Sequence, residues 1–178
     1  MKLKTPLNTE RLILREFEET DFEDVHLYAS CEEVTKFVKW GPNSTVETRV
    51  FLENQLARQN DPERKDWEFA VVLKETNKVI GGCKLKVVEK NIGLLGYFLQ
   101  KNLWGQGYGS EIAKAMMDWA FKDQKIQEMR ATCDSRNTAS RRILEKCGMK
   151  LVELRPYDLF IKGSWRDTLV FSTGHGAA

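Results

Sequence analysis

Across residues 92–121 the chain reads IGLLGYFLQKNLWGQGYGSEIAKAMMDWAF: an apolar run, a short connection, three glycines within five positions, then an amphipathic stretch. No other part of the sequence limits the fold so strongly. Residues 92–100 are apolar on both parities, the pattern of a central strand buried on both faces. Glycine is a poor helix former, so Gly105, Gly107 and Gly109 ahead of a helix running to about Asp123 mark a backbone requirement. Strand, glycine turn and helix start together form an anion site, because the first amides of the helix point outward at its positive end. No lysine or arginine lies between Leu103 and Ile112. An anion there would be held mainly by main-chain N–H groups.

Spacing tests the familiar phosphate loops. A Walker A loop needs lysine after its last glycine, and here Gly109 is followed by Ser110 and Glu111. A dinucleotide fingerprint begun at Gly105 and Gly107 needs a third glycine at 110, which is Ser110. A plain tight turn is the remaining alternative.

The rest of the chain supplies the setting. RLILREF (11–17) alternates like a half-buried strand. TDFE (20–23) and STVE (44–47) are capping-box patterns that predict helices to about Ala29 and Gln59. A further helix is predicted over 32–38, ended by WGPN, and residues 60–66 read as a charged loop. Strands are predicted over 67–74, 78–90, 92–100 and 128–135, with a helix over 137–148 that starts near Asn137 and ends at Gly148. MKLVELR and RDTLVFS read as the last strands. The order gives one mixed α/β domain over 1–173, followed by a tail at 174–178.

A chain of 178 residues is long enough for one sizeable core. Its 28 basic and 26 acidic side chains form no basic block, which argues against a nucleic-acid partner. There is no long apolar run and no signal-peptide core, so a cytoplasmic protein without a membrane partner is expected. Cys31, Cys83, Cys133 and Cys147 are scattered, and His26 and His175 are the only histidines, so no metal site is expected and the cysteines read as packed, reduced thiols. His26 with Cys133 as a catalytic pair has no activating constellation behind it.

GYFLQKNLWGQGYGSEIAKAMMDWAF, followed by NTASRRILEKCGM, resembles the GNAT superfamily of N-acetyltransferases. With TERLILREFEETDFEDV at the start and WRDTLVFS at the end, the chain is most similar to the branch of ribosomal-protein N-terminal acetyltransferases, RimJ/RimL-like. The resemblance implies a mixed, mostly antiparallel sheet of about seven strands with a splayed central pair and helices on both faces. It implies acetyl transfer from acetyl-CoA to a primary amine, without metal, by a monomer or homodimer. The acceptor it implies is a protein N-terminus; a polyamine or antibiotic acceptor, or a CoA-binding sensor without catalysis, are the alternatives.

The same resemblance assigns residues. Trp104, Gly105, Gln106, Gly107, Tyr108, Gly109 and Ser110 would cradle the pyrophosphate, Tyr97, Phe98 and Leu99 would bond the pantetheine arm, and Asn137 would lie near the cofactor. The chemistry needs a base for the ammonium and an acid or donor for the leaving thiolate, with backbone N–H groups polarising the carbonyl. Many relatives use a Tyr as acid where this chain has Leu144; the branch instead carries a Ser that matches Ser140, which could equally serve only its own helix. The branch's usual base position is Leu94, so the base is unassigned. Glu89, Asp134 and Glu33 are conceivable substitutes. Phe37, Trp40 and Trp67 would line the acceptor side, or, for Trp67 above all, pack in the core.

Overall fold

The computed structural model describes residues 6–61 and 63–174. Along the chain come β1 (Leu7–Asn8), β2 (Leu12–Arg15), α1 (Phe22–Ala29), α2 (Glu32–Thr35), α3 (Thr45–Arg58), β3 (Asp66–Leu73), β4 (Lys78–Glu89) and β5 (Ile92–Leu99). There follow α4 (Tyr108–Asp123), β6 (Glu128–Asp134), α5 (Thr138–Lys146), β7 (Lys150–Ile161) and β8 (Ser164–Gly174). The strands form one sheet in the order β1-β2-β3-β4-β5-β6-β8-β7. Only β5 and β6 are parallel neighbours; every other pair is antiparallel.

Eight strands replace the expected seven because Leu7–Asn8 pairs with β2, Leu7 opposite Leu14. Two residues ahead of a polar turn carry no readable alternation. The last two strands are also longer than MKLVELR and RDTLVFS suggest: β7 continues through Pro156 to Ile161, with register shifts between Leu151 and Glu153 and between Arg155 and Leu159. Bulges and an edge-strand proline erase the period that a sequence reader uses. Gly174 closes β8 opposite Glu128, while residues 175–178, with His175, lie outside the described residues.

Helices cover both faces. On β3, Phe69, Val71 and Leu73 face α4, packed with Ile112, Met116 and Trp119; Ala70 and Val72 face α1 and α3, packed with Val25, Tyr28 and Leu52. Trp67 belongs to the first of these clusters, its ring edge-on to Trp119 at 5.8 Å, so it is core and does not line the acceptor side.

The capping box predicted at Ser44 forms: Ser44 N–H donates to Glu47 at 2.7 Å and Glu47 N–H to Ser44 Oγ at 3.3 Å. The one predicted at Thr20 does not. A single 3-10 turn over Glu19–Asp21 precedes α1, and Asp21 accepts the Glu18 N–H and both prongs of the Arg15 guanidinium, each at 2.8 Å. The helix predicted over 32–38 stops at Thr35, which frees Phe37 and Trp40 to turn toward the sheet. No helix among the described residues is long and apolar enough to cross a membrane.

Candidate active site

The parallel pairing of β5 with β6 runs only from Ile92 opposite Glu128 to Leu95 opposite Ala131. Beyond that point β5 stays with β4 as far as Leu99 opposite Gly81, and β6 stays with β8 as far as Asp134 opposite Thr168. Residues 96–99 and 132–134 therefore diverge, and the sheet opens. A cleft of about 910 Å³ fills the gap. The expectation that β5 is buried on both faces fails here: Gly93, Leu95 and Leu99 are buried, while Leu94, Gly96 and Phe98 border the cleft. An apolar strand beside an opening reads like one inside a core.

The cleft is lined from both sides of the sheet. Tyr97, Cys133, Asn137, Ser140 and Leu144 close it on the α4–α5 side; Gly96, Phe98, Phe37, Trp40, Lys84, Glu68 and one stripe of α3 close it on the other. That stripe is Glu47, Val50, Phe51, Asn54, Gln55 and Arg58, the three- and four-residue recurrence of one helical face.

Just past the end of β5 lies the glycine loop. Gly105 and Gly107 have φ of +77° and +86°, where an L side chain is strained, and nothing stands within 4 Å of where a Cβ on Gly105 would be. Gly107 caps α4, so Tyr108, Gly109 and Ser110 carry the amides that a helix leaves without an internal partner. A Cβ on Gly109 would sit 2.6 Å from Ile143 Cδ1, so that glycine lets α4 and α5 close together. Left-handed glycines, free amides and open space suit a pyrophosphate.

The side chains around the loop turn inward. The Trp104 indole N–H donates to the Leu99 carbonyl at 3.0 Å and the Gln106 amide donates to the Asn102 carbonyl at 3.1 Å. An arginine does reach the loop, from far away in sequence. Arg11 stacks 4.1 Å over the Tyr108 ring, donates to the Gln106 carbonyl at 3.0 Å and pairs with Glu111 at 2.7 Å. Glu111 also accepts the Thr9 hydroxyl at 2.5 Å and the Arg11 N–H at 2.9 Å. Burial raises the Glu111 carboxyl, but these bonds outweigh it and hold the group below its ordinary range. The TER of the opening segment is thus a brace for the loop.

Asn137 caps α5, its Oδ1 accepting the Ser140 N–H at 3.1 Å. This fixes the Ser140 hydroxyl 3.1 Å from the Tyr97 hydroxyl. Burial pushes the Tyr97 phenol well up, partly offset by the Ser140 bond, and pushes the Cys133 thiol up to about 11, with Asp134 adding to it. At neutral pH the two hydroxyls and the thiol are all protonated. Leu144, at the position where many relatives have a tyrosine, is a buried wall residue. Sequence reasoning found Ser140 but not its partner: nothing in GYFL distinguishes a Tyr that supplies a hydroxyl from one that supplies only backbone.

Across the sheet, Phe98 packs against Tyr28 at 5.2 Å and Trp40 at 5.3 Å between ring centres. The three substitute carboxylates are occupied. Glu33 is exposed on α2, paired with Lys101 and lowered to about 2 chiefly by that bond; Glu89 is exposed and 3.8 Å from Arg130. Asp134 accepts from the Arg136 backbone and side chain at 2.9–3.0 Å and lies 3.6 Å from Arg166. Glu68 differs. It is half-buried on β3 and lines the cleft, with the Gln55 amide donating at 3.4 Å. Desolvation pushes its carboxyl up to about 7, with Asp66 adding to the rise and Lys84 and Arg58 opposing it. The one signal for Glu68 in the sequence is an acid set inside the apolar run WEFAVVL.

Comparison with known proteins places this geometry. The profile of the acetyltransferase (GNAT) domain matches residues 11–150. The chain is 32% identical over 172 residues to the uncharacterized N-acetyltransferase p20 of Bacillus licheniformis, covering 93% of this chain and 94% of that protein. An acetyltransferase of the GNAT family from Bacillus anthracis superimposes with a TM-score of 0.84 at 28% identity, covering 96% of this chain and 98% of its own. RimL, a ribosomal L7/L12 alpha-N-protein acetyltransferase solved with coenzyme A, superimposes with a TM-score of 0.84 at 18% identity over 97% and 98% of the two chains.

Proposed function

We propose, on the premise that this chain belongs to the acetyltransferase (GNAT) family and is an acetyl-CoA-dependent acyltransferase, that the amine it acetylates is the N-terminal amine of a protein. The acceptor wall carries this reading. Its α3 stripe, from Glu47 to Arg58, extends about 16 Å at the rise of an α-helix. A peptide can lie along such a wall; a small amine needs only a spot. The charges lining the cleft are Lys39, Arg58, Lys84 and Arg166 against Glu47, Glu68 and Asp134. A polyamine or aminoglycoside calls for an acidic site, and here cations outnumber carboxylates. The likeness to RimL, a ribosomal L7/L12 alpha-N-protein acetyltransferase, adds support at the level of fold.

In this reading residues 105–110 hold the pyrophosphate through main-chain N–H groups and the dipole of α4. The edge of β5 at Tyr97 and Phe98 takes the pantetheine arm; Leu99 shares in that edge with its carbonyl already given to Trp104. Trp104 and Gln106 hold the loop's shape, and Asn137 fixes the start of α5. Acetyl-CoA supplies an activated acyl group. Ser140, with Tyr97 behind it, donates a hydrogen bond or proton to the leaving sulfur.

The test is release of free thiol from acetyl-CoA with peptides starting in Ala or Ser, run beside spermidine and aminoglycosides, and with calorimetry of acetyl-CoA binding. Turnover on a peptide, with the acetyl group found on its α-amine by mass spectrometry, is the expected result. Turnover only on the polyamine or antibiotic would overturn the acceptor assignment. Tight binding without turnover on any amine would leave a sensor.

A further inference from the structure

Leu94, where the resemblance would place the base, is an apolar side chain on the cleft wall. Opposite it in function, the Ser140–Tyr97 pair lies on the α4–α5 side, where the thiol would leave. A proton acceptor for the incoming ammonium is needed on the other side of the opening. Strand register shows what stands there. Glu68 on β3 is directly opposite Lys84 on β4, and Lys84 directly opposite Gly96 on β5. Residues paired in this way share one face of the sheet. Two interstrand steps put Glu68 about 10 Å from the Gly96 backbone, a gap that its own side chain and one water or an amine can span.

We propose that Glu68 is the general base of this acetyltransferase, taking the proton of the acceptor ammonium on the face of the sheet opposite the Ser140–Tyr97 pair. This rests on the amine-acetylation reading of the cleft. The balance is simple. A C–N bond forms between the amine and the acetyl carbonyl carbon, and the C–S bond breaks. The ammonium loses one proton to Glu68, directly or through one water; the second, shed as the amide forms, restores the proton that the Ser140 side gives to the departing sulfur.

The surroundings suit the role. The Tyr28 hydroxyl is buried in the same wall and has no hydrogen-bond partner among the described residues, so it can hold a water beside the carboxylate. The Lys84 side chain lies across Gly96: a Cβ there would meet its Cγ at 3.0 Å and its Cε at 3.1 Å. Lys84 thus borders both the carboxylate and the strand that faces the thioester. The groups that set the carboxyl's titration are Lys84 on β4, Asp66 on β3 and Arg58 on α3; Tyr28 on α1 and Cys83 on β4 feel its charge in turn and stay protonated. With burial the largest influence, the Glu68 carboxyl is pushed up to about 7, within reach of a base role near neutral pH.

The experiment is kcat/KM against pH for the wild type, Glu68→Gln and Lys84→Met, using an Ala- or Ser-starting peptide, with acetyl-CoA affinity measured by calorimetry for each. The wild-type rate is expected to fall as pH drops through about 7. Glu68→Gln should lose about 10²-fold at pH 7, bind acetyl-CoA as before, and recover toward wild type above pH 8, where the α-amine loses its proton unaided. In Lys84→Met the carboxylate loses a stabilising cation, so the limb should move to higher pH. A Glu68→Gln enzyme with an unchanged rate and an unchanged limb overturns the assignment. So does a defect that is the same at every pH, which would make Glu68 a positioning residue. A wild type that binds acetyl-CoA but acetylates no amine defeats the acetylation reading instead, and is told apart by the wild-type arm alone.

Discussion

The two sides of the sheet opening are built in different ways. On the α4–α5 side most parts come from two segments, 97–111 and 133–144: Gly107 begins α4, Asn137 Oδ1 accepts the Ser140 N–H at the start of α5, and Glu111 is gripped by Thr9 and Arg11 from the start of the chain. On the α1–α3 side the wall is collected from α3, the 37–40 loop, β3, β4 and the β7–β8 hairpin, and much of it is exposed. A binding partner that never changes can be met by a rigid local motif. An acceptor that differs between family members is met by pieces that vary independently.

Substitutions on the two sides should therefore separate in their effects. The largest effect on cofactor affinity is expected at the loop. Gly107→Val forces a branched residue to φ +86° with Arg11 Nη2 already 3.4 Å from the new Cβ, a strain of about 1–2 kcal/mol. Acetyl-CoA affinity by calorimetry should fall tenfold or more, while a peptide's KM at saturating acetyl-CoA changes little. Equal losses in both would show that the sides are not independent. Next, Ser140→Ala should lower kcat about 10²-fold, the scale of general acid catalysis, with both KM values kept. On the other side, Trp40→Ala removes the edge-on partner of Phe98. An aromatic pair of about 0.5–1.5 kcal/mol converts to a 2- to 10-fold rise in the acceptor's KM, with acetyl-CoA affinity unchanged.

The smallest effect is on stability. Glu111→Gln should cost about 1 kcal/mol in denaturant unfolding, because the partner Arg11 is partly screened by solvent. Glu111 is held below its ordinary value of 4.5, so its contribution is full above that pH and is lost as pH falls further. The melting temperature of the wild type should drop more steeply below pH 4.5 than that of Glu111→Gln.

This asymmetry also explains what could be read from the chain. The glycine loop and the start of α5 at Asn137 were legible because they depend on neighbours a few positions away; Ser140 entered only through the family resemblance. The brace at Arg11 was not: its bond to Glu111 spans 100 positions, and Arg11 reads only as the polar start of a strand. Glu68 was hidden for the same reason, since its meaning comes from Lys84 and Gly96 on neighbouring strands. Trp67 and Trp40 show the limit of composition: both are tryptophans beside turns, yet one fits edge-on to Trp119 in the core and the other walls the cleft. The strand face to which a ring points is decided by register, and register is long-range information.

The cleft is lined from both faces of the sheet, and this has a consequence for the order of events. Two substrates held on opposite walls of one cleft do not compete for the same surface, and neither has to depart before the other arrives. Both are then resident together, and the acetyl group has no need to rest on a side chain in between. Initial rates measured against both substrates should give intersecting double-reciprocal lines, where a ping-pong enzyme would give parallel ones, and a dead-end peptide should not displace desulfo-CoA.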